Sequence, residues 1–167
     1  MNRRAGFTLI ELLITITIMV VLMTIAVISL RGNQASARDE KRKTDIDTIA
    51  QQLESYYKSG SDPVGTYPPG EYPPTDFLNS EANIKLALRD LDTKVLRAPD
   101  VSDSSSISFT MASSTTEPTP DVNTYVYLPL TASGTLCQTA AQECRKFTIY
   151  YKLEGDATIQ KETSKAQ

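Results

Sequence analysis

The chain has 167 residues, no histidine, two cysteines and a formal net charge of −3, which is enough sequence for one modest domain. The absence of histidine excludes imidazole acid–base chemistry and the usual Cys/His zinc frameworks. A mildly acidic chain gives no global reason to expect nucleic-acid binding.

An apolar run dominates the N-terminal part of the chain. From residue 7 to residue 30, the only ionisable side chain is that of Glu11. A helix of this length measures about 36 Å, which exceeds a bilayer core of about 30 Å. A carboxylate in such a helix costs about 2.5–3.5 kcal/mol at the membrane centre. A retained carboxylate therefore predicts a partner, and Glu11 is a functional candidate.

A short basic leader precedes the run. The sequence reads Met1-Asn2-Arg3-Arg4-Ala5-Gly6, followed directly by Phe7-Thr8-Leu9-Ile10-Glu11. This junction resembles that of type IV prepilins, a family that includes pilus subunits and the pseudopilins of type II secretion. The resemblance implies a cut after Gly6, N-methylation of Phe7, and assembly through Phe7 and Glu11. We expect the Glu11 carboxylate to pair with the methylated amine of Phe7 on a neighbouring subunit.

The resemblance also implies a role. The chain is expected to be a structural subunit of a type IV pilus or pseudopilus that serves surface attachment, motility, DNA uptake or secretion. Its expected partners are other pilin subunits in a homo-oligomeric filament, the prepilin peptidase and methylase, the assembly platform with its ATPase, and the membrane. The subunit is expected in the cytoplasmic membrane as a single-pass protein with its head outside, and then in an extracellular filament.

Two simpler interpretations of the run fit less well. A secretory signal peptide has an apolar core of about 7–15 residues, which is shorter than this run. A plain signal anchor explains the length but not Gly6 or Glu11. More Lys and Arg residues follow the run than precede it, so their count favours the opposite orientation. The leader motif favours an outside head, and long domains translocate largely regardless of flanking charge.

The sequence departs from the family in one respect. Many members have a Gly and a Pro inside the apolar helix, where they let a segment unwind in the filament. Here neither residue type occurs between Gly6 and Gly32. We therefore expect a continuous helix in the free subunit.

The helix is expected to continue through residues 31–60. Apolar residues recur at the three- and four-residue spacing of one helical face. They are Ile46, Ile49, Ala50, Leu53, Tyr56 and Tyr57. Residues 38–43 mix both signs of charge, which favours a solvated face over a basic interaction patch.

A proline-rich connector follows Gly60 over residues 61–75. Tyr67 and Tyr72 in it are expected to pack on the head, and a strip that binds a Pro-rich or sugar partner is the alternative. Residues 80–91 are predicted to form a second helix that Ser80 caps. Asp100 and Asp103 are oxygen ligands of the type that calcium takes, but two acids among serines are typical of an exposed loop. We expect no metal site and no cofactor.

The remaining chain is typical of β structure. Strands are predicted at residues 107–111, 125–130 and 147–153, with an edge strand at 157–162. Together they predict a small antiparallel sheet packed on the helical face, which gives an α+β head. The predicted divisions are a leader at 1–6, a membrane and filament-core helix at 7–30, an amphipathic helix at 31–60 and a globular head at 61–167.

Cys137 and Cys144 enclose six polar or small residues in a segment expected outside the membrane. The simplest interpretation is a disulfide that closes a small loop, which belongs to an oxidising compartment. The alternative is two unrelated free thiols. The spacing is not that of a C-x-x-C redox site.

Two rival functions belong to other classes. A membrane-anchored enzyme would need catalytic residues, and the sequence contains no G-x-S-x-G, metal-binding His motif or P-loop. An anchored binding module would use the connector or the Ser/Thr-rich residues 113–119. We expect no enzyme activity.

Overall fold

The computed structural model describes residues 7–60, 68–101 and 107–165, and it is an α+β structure. The helices are α1 (Leu9–Ser59) and α2 (Glu81–Ala87), with 3₁₀ turns at Phe77–Asn79 and Thr93–Leu96. The strands are β1 (Phe109–Met111), β2 (Tyr125–Thr131), β3 (Cys144–Lys152) and β4 (Ile159–Thr163). The fold class predicted from the sequence is confirmed.

The chain divides into two compact units, Met1–Ala37 and Arg38–Gln167. The division falls within α1. Because α1 is a single helix from Leu9 to Ser59, the predicted continuous helix is confirmed for the free subunit. In the first unit the helix is apolar and its described side chains are mostly exposed. The second unit contains the rest of α1 and the sheet, and it holds the hydrophobic core.

The predicted face of α1 lies in that core. Ile46, Ile49 and Leu53 are at most 1% exposed, and they share one cluster with aromatic residues of the sheet. These aromatic residues are Phe109, Tyr125, Tyr127 and Phe147. The helix ends where predicted, because Gly60 adopts a φ of 75° and donates its N–H to the Tyr56 carbonyl.

The sheet has the order β1-β2-β3-β4. The pairs β2–β3 and β3–β4 are antiparallel, as predicted, but β1 runs parallel to β2, with Phe109 opposite Tyr125. The prediction of a wholly antiparallel sheet is therefore wrong. Residues 112–124 join β1 to β2, and this link has the dozen or so residues that a parallel return requires.

The other face of the sheet carries a second, smaller cluster. Ala112, Leu128 and Tyr150 are buried there. The partly buried side chains around them are Val126, Leu130, Leu136 and Ile159. Because side chains alternate along a strand, β2 sends Tyr125 and Tyr127 to the α1 side and Leu128 to this second face.

The second helix is shorter than predicted. Ser80 caps it by accepting the N–H of Asn83 at 3.3 Å, as expected, but the helix ends at Ala87 instead of residue 91. Leu88 leaves the helical region with φ −114° and ψ 64°. The chain then turns so that the Leu91 N–H bonds the Leu88 carbonyl. Both leucines remain buried without a helix between them.

Cys137 and Cys144 form the predicted disulfide, with their Cα atoms 5.6 Å apart. Both are at most 1% exposed. The loop also holds the proline-rich connector, because Tyr72 and Thr75 donate their N–H groups to the carbonyls of Cys144 and Cys137. The disulfide loop and the connector therefore support each other.

An ion cluster joins α1 to the turn between β3 and β4. Arg42 is only 1% exposed, and its Nη1 lies 3.0 Å from an Asp39 carboxylate oxygen and 2.8 Å from one of Glu154. Asp39 also accepts the N–H groups of Glu154 and Gly155 at 2.8 and 2.9 Å. The Cβ of any larger residue at Gly155 would lie 3.3 Å from Asp39 Oδ2. A side chain at this position would therefore crowd the turn.

The outer part of the cluster contains Arg38, which binds Glu154 and lies 3.0 Å from Asp100. A hydrogen bond from Arg38 and a weaker effect of the one from Arg42 lower the pKa of Glu154 to about 2. The prediction of a solvated face at residues 38–43 is therefore wrong for Asp39 and Arg42, which turn into the head. It is correct for Glu40 and Lys41, which are exposed.

We predict that Arg42→Met lowers the free energy of unfolding by about 3–5 kcal/mol, because it leaves two carboxylates without their buried cation. The measurement is urea unfolding of the full chain in detergent, followed by near-UV circular dichroism. Lys43→Met is the control, since its partner Glu40 is exposed and such pairs contribute about 0–1 kcal/mol. Equal losses in the two variants would contradict the structural role of Arg42.

We predict that replacing Cys137 and Cys144 by alanine destabilises the head by about 2–3 kcal/mol, as expected for a short disulfide loop. The variant should still insert into membranes, because the apolar part of α1 is unchanged. Thermal unfolding of the variant and of the reduced wild-type chain measures the loss. Thiol labelling under denaturing, non-reducing conditions checks the bond, and full labelling of the wild-type chain would refute it.

Candidate functional site

The first turn of α1 is closed by a reciprocal capping box. Thr8 is the N-cap, and its hydroxyl oxygen accepts the N–H of Glu11 at 3.3 Å. In return, Oε2 of Glu11 accepts the N–H and the hydroxyl of Thr8 at 3.0 and 2.9 Å. The two side chains thus satisfy donors that the start of a helix leaves unpaired. The signal for this was the spacing Thr-x-x-Glu, which the sequence analysis did not use.

The predicted junction residues therefore lie together at one helix end. Phe7 directly precedes the cap and is 88% exposed. The Glu11 carboxylate is held by the hydroxyl and amide of Thr8, at the end of the helix dipole that favours negative charge. Both bonds use Oε2, so neither occupies Oε1. Gly6 and the rest of the predicted leader lie outside the described residues.

The apolar surface that follows is open on all sides. The large apolar side chains that the structure describes between Leu9 and Leu30 are between 49% and 83% exposed. Three hydroxyls in this part of α1 donate to carbonyls of the same helix at 2.8 Å; they belong to Thr15, Thr17 and Thr24. The hydroxyls of these three threonines are therefore hydrogen-bonded within the helix and need no water as a partner. By length and composition the helix can cross a membrane.

The other candidate sites of the sequence are occupied by structural contacts. Tyr72 is 1% exposed and donates its hydroxyl to Glu54 at 3.0 Å, so the prediction that it packs on the head is confirmed. The Asp100 carboxylate, considered for calcium, lies 3.0 Å from Arg38. Tyr67 and Asp103 lie outside the described residues. Across the described residues, no group of three or more His, Cys, Asp or Glu side chains is placed to hold a metal ion.

Comparison with known families identifies the N-terminal segment. The prokaryotic N-terminal methylation motif matches residues 1–27. The chain carries the leader signature of type IV prepilins and pseudopilins. No curated protein and no solved structure is detectably similar to the chain.

The prepilin signature covers the whole junction. Its 27 residues include the basic leader, Phe7, the capping box of Thr8 and Glu11, and most of the exposed apolar run. The head lies beyond the matched residues. The family match therefore covers the N-terminal segment and does not extend to the head.

We predict that Thr8→Val loosens the first turn of α1, because valine keeps the shape of threonine but cannot form the capping box. Loss of an N-cap costs about 1 kcal/mol, so exchange of the two amides that bond Thr8, those of Glu11 and Leu12, should become about fivefold faster. NMR hydrogen exchange in detergent measures this. Thr17→Val is the control, since it removes a mid-helix hydroxyl bond and should leave the first turn unchanged. Unchanged exchange in Thr8→Val would contradict the cap.

Proposed function

We propose that the chain is a structural subunit of a type IV pilus or pseudopilus, made as a precursor and polymerised through the N-terminal part of α1. The observation that carries this proposal is the coincidence of the prepilin signature with an apolar helix surface that the subunit itself leaves uncovered. A soluble protein rarely exposes such a large apolar patch. The surface therefore needs lipid or neighbouring subunits.

One helix surface serves both environments. In the membrane, lipid chains cover the apolar side chains of α1. In the filament, the helices of neighbouring subunits cover them instead, so the apolar surface remains out of water when a subunit moves between the two states. Extraction then costs little hydrophobic energy. The assembly platform and its ATPase supply the work, and the subunit needs no catalytic residues of its own.

Processing acts on the junction. A prepilin peptidase cuts after Gly6, and the methylase modifies the new amine of Phe7. Glu11 is the charged group nearest to that amine within the apolar run. We propose that the Glu11 carboxylate pairs with the methylated amine of a neighbouring subunit, so that only processed subunits enter the filament.

The head is placed outside the cytoplasm in this proposal. The disulfide between Cys137 and Cys144 supports this, because such bonds persist in oxidising compartments. The subunit first resides in the cytoplasmic membrane as a single-pass protein. It then joins other pilin subunits in a filament at the cell surface, where it serves attachment, motility, DNA uptake or secretion.

We predict that the mature protein begins with methylated Phe7 and that Gly6→Val leaves the precursor uncut in the membrane. A branched side chain at the cut site crowds the peptidase. Intact-mass analysis of the membrane fraction decides the outcome. Asn2→Ala is the control, because it changes the leader without touching the cut site and should be processed. A wild-type protein that still begins at Met1 would defeat the prepilin proposal.

We predict that Glu11→Val inserts and is cut normally but fails to enter filaments. Removing one partner of a buried ion pair costs about 3–5 kcal/mol, which is a loss of roughly a hundredfold to several thousandfold in subunit association. The measurement compares sheared filament and membrane fractions, with cleavage checked by mass.

Glu11→Gln separates the charge of this side chain from its role in the capping box. Glutamine keeps an oxygen that can accept the Thr8 bonds but has no charge to pair with the amine. We expect it to fail in assembly as valine does. Normal filament yield from Glu11→Gln would assign Glu11 to the cap alone, and normal yield from both variants would refute any role in assembly.

A further inference from the structure

Residues 113–119, here called the hydroxyl segment, contain five exposed hydroxyl side chains in seven positions. They belong to Ser113, Ser114, Thr115, Thr116 and Thr119. The segment forms neither helix nor strand, and Pro118 and Pro120 flank its last threonine. Proline on both sides favours an extended backbone at Thr119. The hydroxyls are thus presented on an exposed stretch of chain that bends at residues 113–116 and is favoured to be extended at Thr119.

These hydroxyls have few partners. Ser114 Oγ accepts the N–H of Thr116 at 3.3 Å, whereas the other four hydroxyls form no hydrogen bond with any described residue. The turn between β2 and β3 is different, because the hydroxyls of Ser133 and Thr135 both bond that of Thr131, at 2.9 and 2.7 Å. Fold stability therefore does not explain why hydroxyls are concentrated in the hydroxyl segment.

The segment lies beside the sheet face that α1 does not cover. It lines an open groove of about 320 Å³ together with Ala112 and Val126 of the second cluster. Other apolar side chains of that cluster are only partly buried; they are Leu130, Leu136 and Ile159. A bulky hydrophilic group attached to the segment has room there, and it would shield this apolar surface from water.

We propose that the hydroxyl segment is a site of O-linked glycosylation. Serine and threonine clustered with proline are typical of O-glycosylated chain. Here all five hydroxyl side chains are exposed, and four of them form no hydrogen bond with any described residue. The inference rests on the proposed export of the head, which brings the segment to sugar donors outside the cytoplasm.

The reaction joins one sugar to one hydroxyl. The side-chain oxygen attacks the anomeric carbon of a glycosyl donor whose leaving group is a phosphate or diphosphate. A carbon–oxygen bond forms, the bond to the leaving group breaks, and the hydroxyl proton passes to a base of the transferase. No oxidation or reduction is involved. The attached sugars carry their own hydroxyls into solvent, so the modified chain keeps a hydrophilic surface.

The test is mass spectrometry of the full-length protein purified from its source cells. We expect an intact mass above that of the processed polypeptide, which begins at methylated Phe7 and contains the disulfide, by whole sugar residues. Electron-transfer fragmentation of the tryptic peptide 98–145, which contains the whole segment, should place the sugars on residues 113–119. An unmodified intact mass, a phosphate in place of sugar, or sugars located elsewhere in the peptide would overturn the proposal.

Alanine variants make the test independent of folding. Replacing all five hydroxyl residues by alanine should abolish the added mass and leave the protein folded, because all five side chains are exposed and only Ser114 has a hydrogen-bond partner among the described residues. Ser133→Ala/Thr135→Ala is the matched control in the same peptide, and it should keep the added mass. Added mass that persists in the fivefold variant would refute the site.

The same spectra separate this proposal from the proposed function. A chain that begins at methylated Phe7 but has no sugar refutes the glycan alone. A chain that still begins at Met1 refutes the pilin proposal, and sugar on the hydroxyl segment then still supports the modification site.

Discussion

The structure depends on how the apolar surface of α1 is covered. Between Leu9 and Leu30 the large apolar side chains that the structure describes lie on all sides of the helix, and each is about half or more exposed. From Ile46 to Tyr56 they occupy one face, and this face is buried in a core cluster shared by the sheet, α2 and the connector. The second part of the helix can therefore fold with its own chain, whereas the first part remains exposed, and in the proposed function a membrane or other subunits cover it. This difference follows from periodicity alone.

The buried charges of the head also depend on how they are covered and paired. An arginine that is 1% exposed is costly unless its charge is matched and its donors are used. Arg42 meets both conditions, because it contacts two carboxylates and also donates to the Val122 carbonyl at 2.9 Å. Its partners come from α1, from the segment before β2 and from the β3–β4 turn. The cluster thus fixes the position of loops that the apolar core does not hold.

Much of this was predictable from local sequence, and the exceptions share a cause. Ile49 and Leu53 follow helical spacing, and the strand positions follow β-branched and aromatic runs, so both were predicted. The burial of Arg42 was not, because nothing near it in sequence shows that Glu154 will meet it. The parallel pairing of β1 with β2 was likewise not predicted, because it depends on how residues 112–124 return the chain to the sheet. The capping box of Thr8 has a local signal in the spacing Thr-x-x-Glu, which the charge of Glu11 alone does not indicate.

The capping box bears on the proposed assembly step through a comparison of energies. Thr8 holds Glu11 in the subunit, and breaking that cap costs about 1 kcal/mol. A buried ion pair with a neighbouring amine is protected by about 3–5 kcal/mol against loss of either partner. In the proposed filament, where apolar surroundings exclude water, loss of the neighbouring amine would therefore cost more than loss of the cap. Before that, the cap keeps Glu11 hydrogen-bonded with Oε1 outside both cap bonds, so the side chain is already ordered when an amine arrives. In this proposal an uncut precursor has no free amine at Phe7, so Thr8 remains the partner of the Glu11 carboxylate.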